Sequence, residues 1–143
     1  MKTNVFSLFI ALSIAVMGFA KSSFSQLNLP VEVKNYAAKY FPKQKISKTE
    51  VKEENGTMKY MIRLDNDMKM EFNERKELVE IESKAKTKIP DGVIPAKTLQ
   101  YVKKNYPNTH IIEWEKEDGK EKVKLNTDTK LHFDDKGNFV KKE

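Results

Sequence analysis

Cysteine is absent from the 143 residues. That absence removes a disulfide framework, a thiolate zinc site, a cysteine nucleophile and any cysteine to carry a lipid at a mature N-terminus. Histidine occurs twice, tryptophan once, so a histidine-rich metal site is out of reach. Neither sign of charge is gathered into a tail: 27 Lys+Arg are interleaved with 21 Asp+Glu, the pattern of solvated surface rather than of a basic or acidic arm. The chain lacks a P-loop, a G-x-G-x-x-G turn and an H-E-x-x-H helix, which removes the commonest phosphate and zinc signatures. No apolar run reaches the ~20 residues that span a bilayer. The one long apolar stretch without a charge is Val5 to Ala20.

What is present begins with that stretch. Met1-Lys2 gives a positive start, VFSLFIALSIAVMGFA follows, and small residues stand at cleavage spacing, Gly18 and Ala20 or Ser23 and Ser25 ahead of Gln26. This is the layout of a secretory signal peptide over residues 1–25. Its removal takes Lys2 and Lys21 and no acid, leaving 25 basic against 21 acidic residues, a net of +4. The chain is expected to be exported, periplasmic or secreted, soluble, and not a lipoprotein, with no stable membrane span after cleavage. About 100–200 residues make a domain, so the remainder forms one unit or two very small ones. A basic excess invites nucleic acid. Export, the scatter of Lys among Glu and the absence of a basic stripe exclude that partner.

The remainder is a duplication. Leu29-Pro30 and Ile94-Pro95 open the two copies, offset by 65, and Tyr36, Phe41 and Pro42 meet Tyr101, Tyr106 and Pro107 at that offset. Further on the offset is 61: Ile62, Leu64, Asp67, Met70 and Phe72-Asn73 meet Val123, Leu125, Asp128, Leu131 and Phe133-Asp134. The second copy is therefore four residues shorter between Pro107 and Val123. In each copy a proline opens a helix, where its fixed φ is already helical, and Pro42 or Pro107 stops it by pushing the preceding residue out of the α region. Val33, Tyr36, Ala37 and Tyr40 fall on one helical face, as do Leu99, Val102 and Tyr106. Helices of about 11–12 residues are marginal alone and must lean on a sheet.

The rest reads as antiparallel strands. Asn55-Gly56 and Asp118-Gly119 tolerate φ > 0 and make hairpin turns. Met58, Tyr60, Ile62 and Leu64 alternate with Lys59, Met61 and Arg63, and Met68, Met70 and Phe72 alternate again, a period of two with one buried face. Copy two repeats this through Ile112 and Trp114, Val123 and Leu125, and Leu131 and Phe133. The expected fold is α+β: a tandem repeat of one helix followed by a four-stranded antiparallel meander, about eight strands in all, with two helices packed on one sheet face. The expected division is a first repeat over 26–83, a connector over 84–93 and a second repeat over 94–143. The opposite face would present Lys59, Met61, Arg63, Lys69, Glu71, Glu113, Glu115, Lys124, Lys130 and His132. Two copies side by side would make it continuous.

The order of a signal segment, a Leu-Pro helix, Tyr40-Phe41-Pro42 or Asn105-Tyr106-Pro107, a hairpin, and then Phe72 to Val79 or Phe133 to Val140 resembles the PepSY-like family, also described as beta-lactamase-inhibitor-like. The resemblance covers about residues 28–143. It implies small exported bacterial proteins built of tandem helix-plus-sheet repeats. Its motifs are scaffold motifs, and it carries no catalytic or ligand residues to this chain. The family name implies a fold likeness to a secreted inhibitor that grips its enzyme with a concave sheet.

Candidate chemistry is sparse. His110 and His132 lie in no nucleophile elbow, and copy one has Lys45 and Glu71 at their positions, so both read as exposed strand or turn histidines. Asp65 with Asp67, and Asp134 with Asp135, sit in tight turns, where Asp bonds its own backbone, rather than in the apolar pocket that raises an acid's pKa. Asp134-Asp135-Lys136-Gly137-Asn138 lacks the alternating order and the later bidentate Glu of a calcium loop. Trp114 alternates in phase with Ile112, which places it in the core. Neither catalysis, nor a cofactor, nor a metal is expected. The expectation is a non-catalytic exported module that recognises an exported or cell-envelope protein or peptide. The recognition face would hold Lys59, Met61, Arg63, Lys69, Glu71, Lys124 and His132, and one version of the role is inhibitor-like. The alternative is a carrier or sensor of a small ligand or ion held between helices and sheet.

Overall fold

The computed structural model describes residues 29–143; the expected signal segment, 1–25, lies outside the described residues. Two ten-residue helices, α1 (Val31–Tyr40) and α2 (Ala96–Asn105), each precede four strands. The strands are β1 (Ile46–Glu54), β2 (Thr57–Leu64), β3 (Met68–Phe72), β4 (Leu78–Ser83), β5 (Ile111–Glu117), β6 (Lys120–Leu125), β7 (Lys130–Phe133) and β8 (Phe139–Lys142). They form one antiparallel sheet in the order β1 to β8. This is an α+β fold of two repeats. The helices are slightly shorter than the prolines alone suggest, because Pro30 and Pro95 stand as the capping residues rather than inside the first turn. Phe41 and Tyr106 end the helices just before Pro42 and Pro107. The connector contains a turn of 3-10 helix at Asp91–Val93.

The alternation of residues sets the two faces of the sheet. Ile62, Met70, Ile81, Trp114, Val123 and Leu131 pair in register across six neighbouring strands, so they share one face. Together with Val33 and Ala37 of α1 and Val102 of α2 they belong to a single buried cluster, which puts both helices on that face. Duplicate positions play the same part: Tyr36 meets Phe72 edge-on at 5.3 Å, and Tyr101 meets Phe133 edge-on at 5.4 Å. Burying such a ring stabilises the fold by about 1.5–3 kcal/mol.

The register explains the missing four residues. Past an irregularity near each start, β1 and β2 pair from Lys48 with Arg63 to Glu54 with Thr57, while β5 and β6 pair from Glu113 with Lys124 to Glu117 with Lys120. The second hairpin is thus two rungs shorter at its tip, and the rest of the repeat is undisturbed. Both tips use left-handed pairs, Asn55-Gly56 (φ 53°, 77°) and Asp118-Gly119 (φ 49°, 79°), the geometry of a type I′ turn. The irregularity between Ile111 and Glu113 leaves Ile111 and Ile112 both buried, with Ile111 in the main cluster.

Candidate functional site

The sheet face away from the helices carries the candidate residues. Lys59, Met61 and Arg63 alternate along β2; Met61 pairs with Glu71 and Arg63 with Lys69. Glu71 then pairs with Glu80, Lys69 with Glu82, Glu80 with Glu115 and Glu82 with Glu113. Glu113 pairs with Lys124, Glu115 with Lys122, Lys122 with His132 and His132 with Lys141. An unbroken chain of cross-strand neighbours therefore brings Lys59, Met61, Arg63, Lys69, Glu71, Lys124 and His132 onto one face. It also brings in residues that the alternation argument passed over: Glu80 and Glu82 of β4, and Lys122. Lys122 stands two positions before Lys124 on the same strand phase, so its place was readable. The β4 glutamates needed the register.

This face is charged and largely self-neutralised. Lys59 lies 3.1 Å from Glu54 and 3.4 Å from Glu71, Lys69 3.2 Å from Glu80, Lys84 2.7 Å from Glu82 and Lys124 3.3 Å from Asp128. Lys122 pairs with Glu115. The hydrogen bonds to Glu54 and to Glu115 hold the Lys59 and Lys122 ammonium groups above the usual lysine range, so both stay charged at neutral pH. Such half-exposed pairs are each worth about 0–1 kcal/mol. They order the face more than they stabilise the fold. The seam between the repeats sets like charges directly opposite, Glu80 with Glu115 and Glu82 with Glu113, an arrangement that costs stability.

The face is indented. A hollow of about 470 Å³ lies against Glu115, Lys122, His132 and Lys141. A second, about 280 Å³, lies against Lys59, Glu71, Glu80 and Glu115. A third, about 100 Å³, lies against Lys48, Glu50, Met61, Arg63 and Lys69.

The other residues singled out in the sequence do structural work. Asp134 Oδ1 accepts bonds from the backbone N–H of Lys136 (3.0 Å) and Asn138 (2.8 Å), and Asn73 does the same for Arg75 and Glu77. Those bonds, the Asn138 side chain first, hold the Asp134 carboxyl below the usual range. Asp67 and Asp128 occupy matching left-handed positions at φ 61° and 64°. His110 Nε2 lies 3.0 Å from the Lys86 carbonyl. Among the described residues no group of three His, Asp or Glu side chains could hold a metal ion.

Trp114 is buried, and its partner was not foreseen. Its indole N–H donates to Glu121 Oε2 at 2.8 Å, and Thr98 Oγ1 donates to the same oxygen at 2.8 Å. Glu121 is only 8% exposed and stands on the core phase of β6, one position in sequence from Lys122 on the open face. A lone acid in phase with Val123 and Leu125, diagonal to the only tryptophan across the β5–β6 hairpin, was the available signal.

A family model described as "Putative beta-lactamase-inhibitor-like, PepSY-like" matches residues 19–80 and 68–141. Among solved structures, a "putative calcium-regulated periplasmic protein" from Bacteroides thetaiotaomicron is 25% identical, with 84% of this chain and 94% of that one covered and a TM-score of 0.77. A "putative periplasmic protein" from Bacteroides vulgatus is 22% identical over 84% and 94%, with a TM-score of 0.78. Another from the same species is 25% identical over 83% and 94%, with a TM-score of 0.77. Among curated proteins none matches. No helix of the described residues is long and apolar enough to cross a membrane.

Proposed function

The chain belongs to the PepSY-like, beta-lactamase-inhibitor-like family, and from that premise we propose that it is an exported, non-catalytic binding module. In this reading residues 1–25 direct export, in keeping with the periplasmic descriptions of the similar structures. Two repeats, 26–83 and 94–143, joined by 84–93, present one shared recognition face to an exported or cell-envelope protein or peptide. One observation carries the reading. The inner face is committed to the core and the helices, while the outer face offers a continuous field of charged side chains around hollows of up to about 470 Å³. An inhibitor-like version follows from the same geometry, with side chains of the face entering a partner's cleft and contact area rather than chemistry providing affinity.

A small ligand held between helices and sheet lacks comparable support. The hollow between α2 and the sheet, bordered by Ile89, Ile94, Leu99, Val102 and Ile111, measures about 40 Å³, below the ~300–1,000 Å³ of ordinary ligand pockets. The larger one at the end of α1, about 330 Å³, lies among Tyr40, Phe41, Pro42, Lys43, Asn66 and Lys88 and is smaller than the largest hollow of the open face. Calcium, named in the description of one similar structure, meets no cluster of three suitable side chains among the described residues. The test is capture of a partner from the exported fraction by the purified protein. Charge reversal at Lys59, Arg63 and Lys124 is expected to abolish capture while leaving the melting transition in place. Unchanged capture by those variants overturns the proposal.

A further inference from the structure

The two repeats present different charge at equivalent positions of the open face. One row crosses all eight strands in register. Repeat one contributes Glu50, Met61, Glu71 and Glu80; repeat two contributes Glu115, Lys122, His132 and Lys141. On three successive strands an acid or a thioether has become a base. The adjoining row adds Lys124 paired with Lys130, and Lys120 stands at the hairpin end of β6. The hollow of about 470 Å³ lies where this strip meets the acids around it: Lys120, Lys122, His132 and Lys141 line it together with Glu115, Glu117, Asp118 and Asp134, and Lys122 is paired with Glu115.

Two further observations bear on what the strip accepts. His132 Nε2 is shielded from solvent and has no hydrogen bond; Glu143 Oε2 lies 3.3 Å away but outside hydrogen-bond geometry. Glu143 itself is bonded through its backbone to Lys130 on both sides, and its carboxyl also pairs with Lys141. The Lys141 ammonium first, and then the nearby His132 ring, hold that carboxyl below the usual glutamate range. The chain thus already rests one of its own carboxylates on the strip. Strands lie ~4.8 Å apart, so three strands make a strip only about 10 Å wide. It is bounded on one side by Glu113, Glu115 and Glu117 of β5. A long uniform polyanion would run onto those acids, whereas a short segment with a few carboxylates would not.

Resting on the reading of the open face as the recognition surface, we infer that its β6–β8 half takes an acidic peptide segment, with carboxylates seated between Lys122, His132 and Lys141. Opposed charges steer such a segment and set its position, and salt weakens it because the cations are part-exposed.

The experiment is fluorescence anisotropy of the purified protein with three labelled probes: a short peptide alternating Glu and Thr, its Lys and Thr counterpart, and a sulfated oligosaccharide of equal charge. The Glu-Thr peptide is expected to bind and to weaken as salt rises; the Lys-Thr peptide is not. Lys122→Glu with Lys141→Glu should weaken binding by about tenfold or more. The neutral pair Lys122→Gln with Lys141→Gln should weaken it less, and serves where the reversed pair misfolds. Lys34→Glu, on the exposed side of α1, should leave it unchanged. Three results overturn the inference: equal binding of the Lys-Thr peptide, tighter binding of the oligosaccharide than of the Glu-Thr peptide, or equal loss in Lys34→Glu. A silent Glu-Thr peptide, with partner capture still lost on charge reversal at Lys59, Arg63 and Lys124, overturns this inference and leaves the recognition face standing. Loss of both overturns both.

Discussion

At the buried contact between helix and sheet, repeat one holds Val33, Thr49 and Tyr60 where repeat two holds Thr98, Trp114 and Glu121. The first set brings no acid into the core. The second is a closed polar group in which one carboxyl oxygen takes both available donors. Elsewhere inside, the repeats agree: Ile62 and Val123, Leu64 and Leu125, Met70 and Leu131, Phe72 and Phe133 are all fully buried. On the open face they diverge again, Met61 to Lys122 and Glu71 to His132. The strand rows that close the core have held their residue types through the duplication. The outer positions, free of that constraint, have separated in charge.

The comparison can be broken most sharply at the tryptophan. Trp114→Ala should cost about 3–5 kcal/mol, while Thr49→Ala in repeat one should cost about 1 kcal/mol or less; denaturant unfolding measures both. Equal costs would mean that the two interiors are energetically alike. Glu121→Ala leaves the Trp114 and Thr98 donors buried without a partner and should cost about 1–3 kcal/mol, against about 0.5 kcal/mol for Tyr60→Phe. Because the chain has one tryptophan, the near-ultraviolet dichroism of the Glu121 variant reports directly on that indole.

A smaller asymmetry lies in the last turn of each repeat. Gly137 is left-handed at φ 74°, and a Cβ there would stand 3.3 Å from the Lys97 side chain. Its counterpart Lys76 adopts φ 62° with a full side chain. Gly137→Ala should therefore destabilise by about 1 kcal/mol, and Lys76→Gly should lose little or gain, since a left-handed non-glycine costs about 1–2 kcal/mol. Thermal melts decide the sign.

The smallest effect is in the pH profile. The Asp134 carboxyl is held below its ordinary value by its turn bonds. Its contribution is thus present above the unfolded value of about 3.9 and is lost as pH falls through the lowered folded value. Asn73, its counterpart, does not titrate. Asp134→Asn should leave stability at neutral pH almost unchanged and flatten the loss below pH about 4. An unaltered acid limb would exclude this turn as a source of it.

The fold was legible because its signals are local and doubled. Pro30 and Pro95, the period-two runs through Ile62 and Val123, and the Asn-Gly and Asp-Gly turns each specify one element, and the repeat checks each against its copy. The candidate face was legible for the same reason as far as phase alone could carry it, through Lys59, Arg63 and Lys124. The Glu80–Glu115 and Glu82–Glu113 contacts were not, since pairing across the seam depends on the register of β4 against β5 and no turn chemistry fixes that. Glu121 was missed because a charged residue on a strand is ordinarily assigned to solvent. Only its reach to Trp114 and Thr98 makes burial affordable.

The central claim is that the open sheet face, and not the helical side, meets the partner. Partner capture from the exported fraction, with three equally folded variants side by side, tests it most directly: Lys59→Glu with Arg63→Glu, Lys122→Glu with Lys124→Glu, and Lys34→Glu with Lys104→Glu on the exposed sides of the helices. The account predicts loss of capture in one or both sheet variants and full capture in the helix variant. Loss confined to the helix variant, with both sheet variants intact, would contradict it.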